Sequence, residues 1–210
     1  MILPLPIAQG AGENALEFIS LKEYAKFFDD LLSGFPVPIT KGGRGVFSAA
    51  SESANSLVVH AVGNFEASFV PTLNDFSRLD KRFQIPPSSW AKLPQYKTYG
   101  FAVFKLKAGE QDVHPMAFSF PRSDASKLFF PTVHIHDGEV HTTAEFDHVL
   151  YAQGHPPESL DFHGWRESER SAKNFMKIAQ SKNIISSDEH CYQKMLIGNL
   201  PNKDTWLARF

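Results

Sequence analysis

The sequence predicts an α+β fold: a mostly antiparallel β-sheet built from hairpins, with one helix before it and one or two helices after it. A helical pattern comes first in the chain, and helical spacing returns after residue 160. Between them lies a β-rich body over about residues 46–151, which is interrupted by a short predicted helix near 75–83 and a loop at 85–97. Strands followed by helices, rather than alternating with them, favour this class over a doubly wound parallel sheet. We therefore expect a single globular domain over residues 1–210, with a β-rich body and a helical C-terminal segment.

The first helix is predicted over residues 20–33. Ser20 is a suitable N-cap, and Glu23 three residues later completes a capping box. Gly34 provides the stop signal. Apolar side chains recur between these ends with a period near 3.6 residues. They are Leu21, Tyr24, Phe27, Phe28, Leu31 and Leu32.

Three hairpins are predicted in the β-rich body. Gly63-Asn64 is a candidate tight turn between a strand that ends at Val62 and a strand at 65–70. A second hairpin spans residues 98–120, and its first strand is apolar on both faces, as a central strand should be. The third spans residues 128–151.

The C-terminal segment, residues 160–210, is predicted to be helical. An apolar stripe supports one helix there, and a second short helix would begin near Ser187 and end at Gly198. The stripe consists of Trp165, Ala172, Phe175, Met176 and Ala179.

The composition limits the class of partner. The formal net charge is −2 and basic residues are mixed with acidic ones, so the strongly basic footprint of a nucleic-acid-binding protein is missing. No window approaches 18 uninterrupted apolar residues, so we expect no membrane span. With Cys191 as its single cysteine, the chain can form no internal disulfide. This favours a reducing, cytoplasmic location, and an exported protein whose leader has been removed is the alternative.

The most informative segment is the third hairpin. Asp137-Gly138 between alternating runs is a strong signal for a two-residue type I′ turn. That turn sets a register in which His134 faces His141, His136 faces Glu139, and Thr132 faces Thr143. One face of the hairpin then carries three imidazoles and a carboxylate.

This polar face predicts a divalent metal site, for zinc or another transition metal. The candidate ligands are His134, His136 and His141, whose rings leave the same face of a two-stranded ribbon. Glu139 is a candidate fourth ligand or a general base for hydrolysis by metal-bound water. Three further residues are candidate ligands or outer-shell partners. They are Asp137, Asp147 and His148.

A competing interpretation needs no metal. Any half-exposed hairpin has a polar solvated face, and a chain with nine histidines will cluster some of them by chance. In that case the chain is a non-enzymatic binding or structural module, whose partner is a small molecule, another protein or a second copy of itself. Base rates favour the module, and the sequence leaves open whether the chain is an enzyme.

Two other features lack support as sites. Cys191 follows His190 directly, but adjacent residues do not face one another on a helix, and a buried structural cysteine is the better interpretation. The Gly-rich stretch at 41–45 matches no phosphate-binding pattern.

Overall fold

A computed structural model describes residues 1–36, 59–79, 90–107, 113–135, 139–154 and 160–209 of the chain. Within these ranges the protein is mostly antiparallel β-sheet with few helices, which confirms the main prediction of fold class. The described strands are β1 (Ile2–Leu5), β2 (Glu17–Ser20), β3 (His60–Val62), β4 (Phe65–Val70), β5 (Gly100–Leu106), β6 (Met116–Ser119), β7 (Lys127–Phe130), β8 (Thr143–Ala152), β9 (Arg166–Glu167), β10 (Tyr192–Pro201) and β11 (Thr205–Ala208).

These strands form four antiparallel groups. The largest is a four-stranded sheet in the order β1-β5-β4-β3, and the second is a three-stranded sheet in the order β8-β10-β9. Two further pairs join β2 to β6 and β7 to β11. The central position of β5 agrees with its apolar sequence, because Phe101 to Phe104 are all buried.

The helical content of the described residues is small. The α-helix α1 (Phe27–Ser33) is accompanied by 3-10 helices at Lys22–Tyr24, Leu73–Arg78, Pro94–Thr98, Ala172–Asn174 and Ile178–Gln180. None of the helices in the described ranges combines the length and apolar character needed to cross a bilayer.

The predicted N-terminal helix is present but starts later. Ser20 belongs to β2, where it is paired with Met116 of β6, so the capping-box position is taken by a strand. A single 3-10 turn follows, and the α-helix begins at Phe27. It ends before Gly34, as predicted.

The hairpin at Gly63-Asn64 is confirmed by the pairing of Val62 with Phe65. The turn is closed by His114, which is buried. Its Nε2 accepts the backbone N–H of Asn64 at 3.0 Å, and its Nδ1 lies 2.8 Å from the carbonyl oxygen of Pro115. Gly63 has φ of +59°, and a Cβ atom there would lie 2.0 Å from Nε2 of His114.

The predicted pairing of the other two hairpins is wrong. Both edges of β5 are taken by β1 and β4, so β6 pairs with β2 instead of β5. In the third hairpin β7 pairs with β11, and β8 pairs with β10. The predicted pair Thr132–Thr143 is therefore absent from the described ladders.

The prediction of α-helices in the C-terminal segment is also wrong. Residues 172–180 form two 3-10 turns, whose i, i+3 spacing resembles the spacing of a helical stripe. The second predicted helix is replaced by the ten-residue strand β10, which pairs with β8 along its whole length. Pairing with a partner strand overrides the local preference of this segment.

Candidate functional site

The predicted histidine site lies partly outside the described residues. His136, Asp137 and Gly138 belong to the part of the chain that the structure does not describe, so the type I′ turn stays a prediction. The flanking stretches 131–135 and 139–142 are described, and neither belongs to a strand.

A distant side chain holds the two flanks together. The backbone N–H of His134 donates to Oδ1 of Asn202 at 2.8 Å, and Nδ2 of Asn202 donates to the carbonyl oxygen of His134 at 2.9 Å. The same Nδ2 donates to the carbonyl oxygen of His141 at 3.1 Å. The predicted ladder pair of His134 with His141 is thus replaced by an amide bridge, which fixes the backbone of both residues to the loop after β10.

Asp204 anchors the segment immediately before His134. Its carboxylate accepts the backbone N–H groups of Thr132 at 3.0 Å and Val133 at 3.3 Å, and the hydroxyl of Tyr96 at 2.6 Å. Burial raises the pKa of this carboxyl above its ordinary value, although the three hydrogen bonds act in the opposite direction. Thr132 adds a hydrogen bond from its hydroxyl to the carbonyl oxygen of Lys203 at 2.8 Å.

The imidazole of His134 meets the imidazole of His148. Their Nε2 atoms lie 2.6 Å apart. The ring of His134 is also stacked on Phe146, with centroids 4.5 Å apart and an interplanar angle of 24°. Phe146 and His148 are two residues apart on β8, so one face of this strand supports the ring and presents the second imidazole.

Asp147 faces the other nitrogen of His148. Its Oδ1 lies 3.2 Å from Nδ1 of His148, and its side chain is 95% exposed. A carboxylate at this position favours a proton on Nδ1, which leaves the lone pair of His148 on Nε2. The sequence predicted Asp147 and His148 as outer-shell candidates, and the structure brings His148 directly to His134.

Glu139 and His141 are less closely tied to this pair. The Glu139 carboxylate forms an ion pair with Lys92, and both side chains are exposed. The side chain of His141 is exposed as well. Over the described part of the chain, no three His, Cys, Asp or Glu side chains are grouped as a metal site would need. His136 and Asp137 lie outside the described residues, so the predicted three-histidine site stays a prediction.

A second cluster contains the residue types of a catalytic triad, but its contacts are those of a structural cluster. Ser168, His190 and Glu167 lie together, but all three contacts meet the same nitrogen of the imidazole. Nδ1 of His190 lies 2.8 Å from the carbonyl oxygen of Ser168 and 3.5 Å from Oγ of Ser168. The same nitrogen lies 3.4 Å from Oε1 of Glu167. A catalytic triad places its serine and its acid on opposite ring nitrogens. The Ser168 hydroxyl instead donates to the Arg170 carbonyl at 2.7 Å and is buried.

The thiol of Cys191 is buried among apolar side chains of α1 and the C-terminal segment. Its exposure is 1%, and burial raises its pKa to about 11. Since the thiolate is the reactive form, we expect iodoacetamide to label the folded protein slowly at neutral pH. Mass spectrometry should show fast labelling only after denaturation in urea, and rapid labelling of the folded protein would contradict the structural interpretation.

A small cavity of about 250 Å³ lies at the end of α1. This volume falls below the roughly 300–1,000 Å³ of typical ligand pockets, and its lining is mostly polar. The lining residues are Ser33, Gly34, Pro36, Glu169, Arg170, Asn174 and Phe175.

Sequence reasoning missed Asn202 and Asp204. The run Pro201-Asn202-Lys203-Asp204 has the composition of a turn, and nothing local connects it with residues some 70 positions earlier. Comparison with protein-family models, with curated proteins and with solved structures finds no match to this chain. Its function is therefore inferred from geometry.

Proposed function

We propose that this chain is a non-enzymatic binding module whose ligand is a divalent transition metal ion such as Zn²⁺, held by Nε2 of His134 and Nε2 of His148. The observation that supports this proposal is the convergence of these two atoms to 2.6 Å. Imidazole nitrogen is a preferred ligand of zinc, copper and nickel.

The distance between the two Nε2 atoms suits a shared metal ion after a small movement of the rings. With Zn–N bonds of about 2.0–2.1 Å and tetrahedral geometry, two ligand nitrogens lie about 3.3 Å apart. The rings must therefore separate by about 0.7 Å. His148 can supply this movement because its side chain is partly exposed, while the backbone of His134 is held by Asn202.

The surroundings orient both rings for coordination. Asp147 lies at Nδ1 of His148 and favours the tautomer whose Nε2 lone pair faces His134. Phe146 supports the flat side of the His134 ring. A carboxylate–imidazole arrangement of this kind is the usual outer shell of a histidine ligand.

We propose His136 and His141 as sources of the remaining ligands. The backbone of His141 shares the Asn202 amide with His134, and His136 is two residues from His134. We propose no hydrolytic step, because Glu139, the candidate base, is paired with Lys92. The cytoplasmic location expected from the single cysteine stays a prediction.

Isothermal titration calorimetry with Zn²⁺ tests the site in chelator-free buffer. We expect one ion per chain, and loss of binding in both His134→Ala and His148→Ala because each removes a ligand. Asp147→Asn should weaken binding by about 10–100-fold, as expected for an outer-shell partner. His163→Ala is the matched control, since it removes an exposed histidine of another loop and should leave the affinity unchanged.

Circular dichroism of each variant separates lost binding from lost folding. If folded His134→Ala and His148→Ala bind Zn²⁺ as tightly as the parent chain, the proposed ligand pair is wrong. If the parent chain binds no zinc, nickel or copper, the metal proposal fails as a whole.

A further inference from the structure

Strand β8 lies at the edge of its sheet. The order β8-β10-β9 leaves the outer side of β8 without a neighbouring strand among the described residues. On the other side, all ten residues from Thr143 to Ala152 are in register with β10. Half of the backbone N–H and C=O groups of such a strand point outward, where they can pair with another extended segment.

One face of this edge combines apolar and acidic side chains. The register places Val149 opposite Met195 and Asp147 opposite Ile197. The three apolar side chains are 39%, 62% and 55% exposed, for Val149, Met195 and Ile197. Glu145 shares this face with Asp147 and Val149 because side chains alternate along a strand, and both acids are exposed.

We propose that an extended peptide with basic and apolar side chains at alternate positions adds to β8 as a further strand. Backbone hydrogen bonds along the open edge provide affinity, and the side chains of one face provide specificity. Lysine or arginine of the peptide lies opposite Glu145 and Asp147, where opposite charges on neighbouring strands attract. An apolar side chain of the peptide lies opposite Val149 and extends the apolar surface formed with Met195.

The charges favour this partner over a second copy of the chain. Two copies joined antiparallel along this edge would bring Glu145 and Asp147 of both copies onto one face of a continuous sheet. Like charges on neighbouring strands are destabilising. A basic peptide has the opposite effect at the same positions.

The probes are two synthetic nine-residue peptides, one for each strand direction, with isoleucine and two lysines on one face and threonine elsewhere. Fluorescence anisotropy in the presence of a chelator should show binding by one of them, weakening as salt rises. The paired change Glu145→Lys with Asp147→Lys should weaken binding by about tenfold or more and create binding to the glutamate version of the peptide. The change Glu17→Lys with Glu23→Lys, at exposed acids elsewhere, should leave the affinity within about twofold.

Backbone methylation distinguishes strand addition from adhesion between charged surfaces. An added strand uses only one of its two edges, so N-methylation of one set of alternate residues should abolish binding and the other set should be tolerated. Equal tolerance of both sets, or no effect of the charge reversal, would overturn the proposal. Sedimentation showing that the chain dimerises and excludes the peptide would also overturn the proposal. The chelator keeps these outcomes independent of the metal proposal.

Discussion

Gly63→Ala should lower the free energy of unfolding by about 2–5 kcal/mol. Two separate effects contribute to this loss. The backbone has φ of +59° at this turn, a conformation that costs a residue with a Cβ atom about 1–2 kcal/mol. The added Cβ would also lie 2.0 Å from Nε2 of His114, so the buried ring must move away from the Asn64 N–H that it accepts. A buried donor left without its partner costs a further 1–3 kcal/mol or so.

Urea denaturation measures the two effects separately. Gly164→Ala is the matched control, because Gly164 has φ of +75° but nothing within 4 Å of its Cβ position, and it should cost only about 1–2 kcal/mol. In a His114→Ala background, Gly63→Ala should likewise cost only the backbone strain. Equal losses for Gly63→Ala with and without the histidine would show that the ring contact does not matter.

Asp204→Ala should destabilise the protein by about 3–5 kcal/mol. The change removes the acceptor shared by the Tyr96 hydroxyl and the backbone N–H groups of Thr132 and Val133. These donors lie in a partly buried region next to the apolar cluster that contains Tyr96 and Phe101. Each donor loses its partner in the folded state only, because water serves all three in the unfolded chain.

Thermal and urea unfolding of Asp204→Asn provide the control. Asparagine keeps one acceptor oxygen for the two backbone donors, so it should cost clearly less than alanine. A loss below about 1 kcal/mol for Asp204→Ala would show that these hydrogen bonds are replaced by water.

The pH dependence of stability supplies a second readout for Asp204. Its folded pKa is raised above the ordinary value of 3.8 by burial, so the folded state holds this proton more tightly than the unfolded state. The resulting contribution to stability is fully present below pH 3.8 and is lost as pH rises through the folded pKa. The stability of the parent chain relative to Asp204→Asn should therefore fall as the pH rises from 3.8 through the folded pKa of Asp204.

Features set by neighbouring residues could be predicted from the sequence. The turn at Gly63-Asn64 needs only a glycine that accepts positive φ, and the central place of β5 follows from apolar residues on both faces. The end of α1 at Gly34 follows from its stop signal. The helix start was missed because pairing of Ser20 with Met116, almost a hundred residues away, extends a strand to that position.

Strand partners and most of the candidate site could not be predicted in this way. A local turn signal at Asp137-Gly138 suggests that the flanking strands pair, whereas β7 and β8 find partners in β11 and β10. His134 and His148 were both identified as candidates, but their direct contact depends on how β8 passes the segment 131–135. The roles of Asn202 and Asp204 have no periodicity or motif that would reveal them.

The bridges made by Asn202 and Asp204 have a consequence for the order of events during synthesis. Their contacts with the backbone of residues 132–134 span 68 to 72 positions, so His134 and His148 are both translated long before the side chains that fix that backbone. Until the ribosome has released residues 202–204, water must occupy those backbone positions and the two imidazoles have no common orientation. The metal binding that we propose for the paired rings would therefore be a late step in the maturation of the nascent chain.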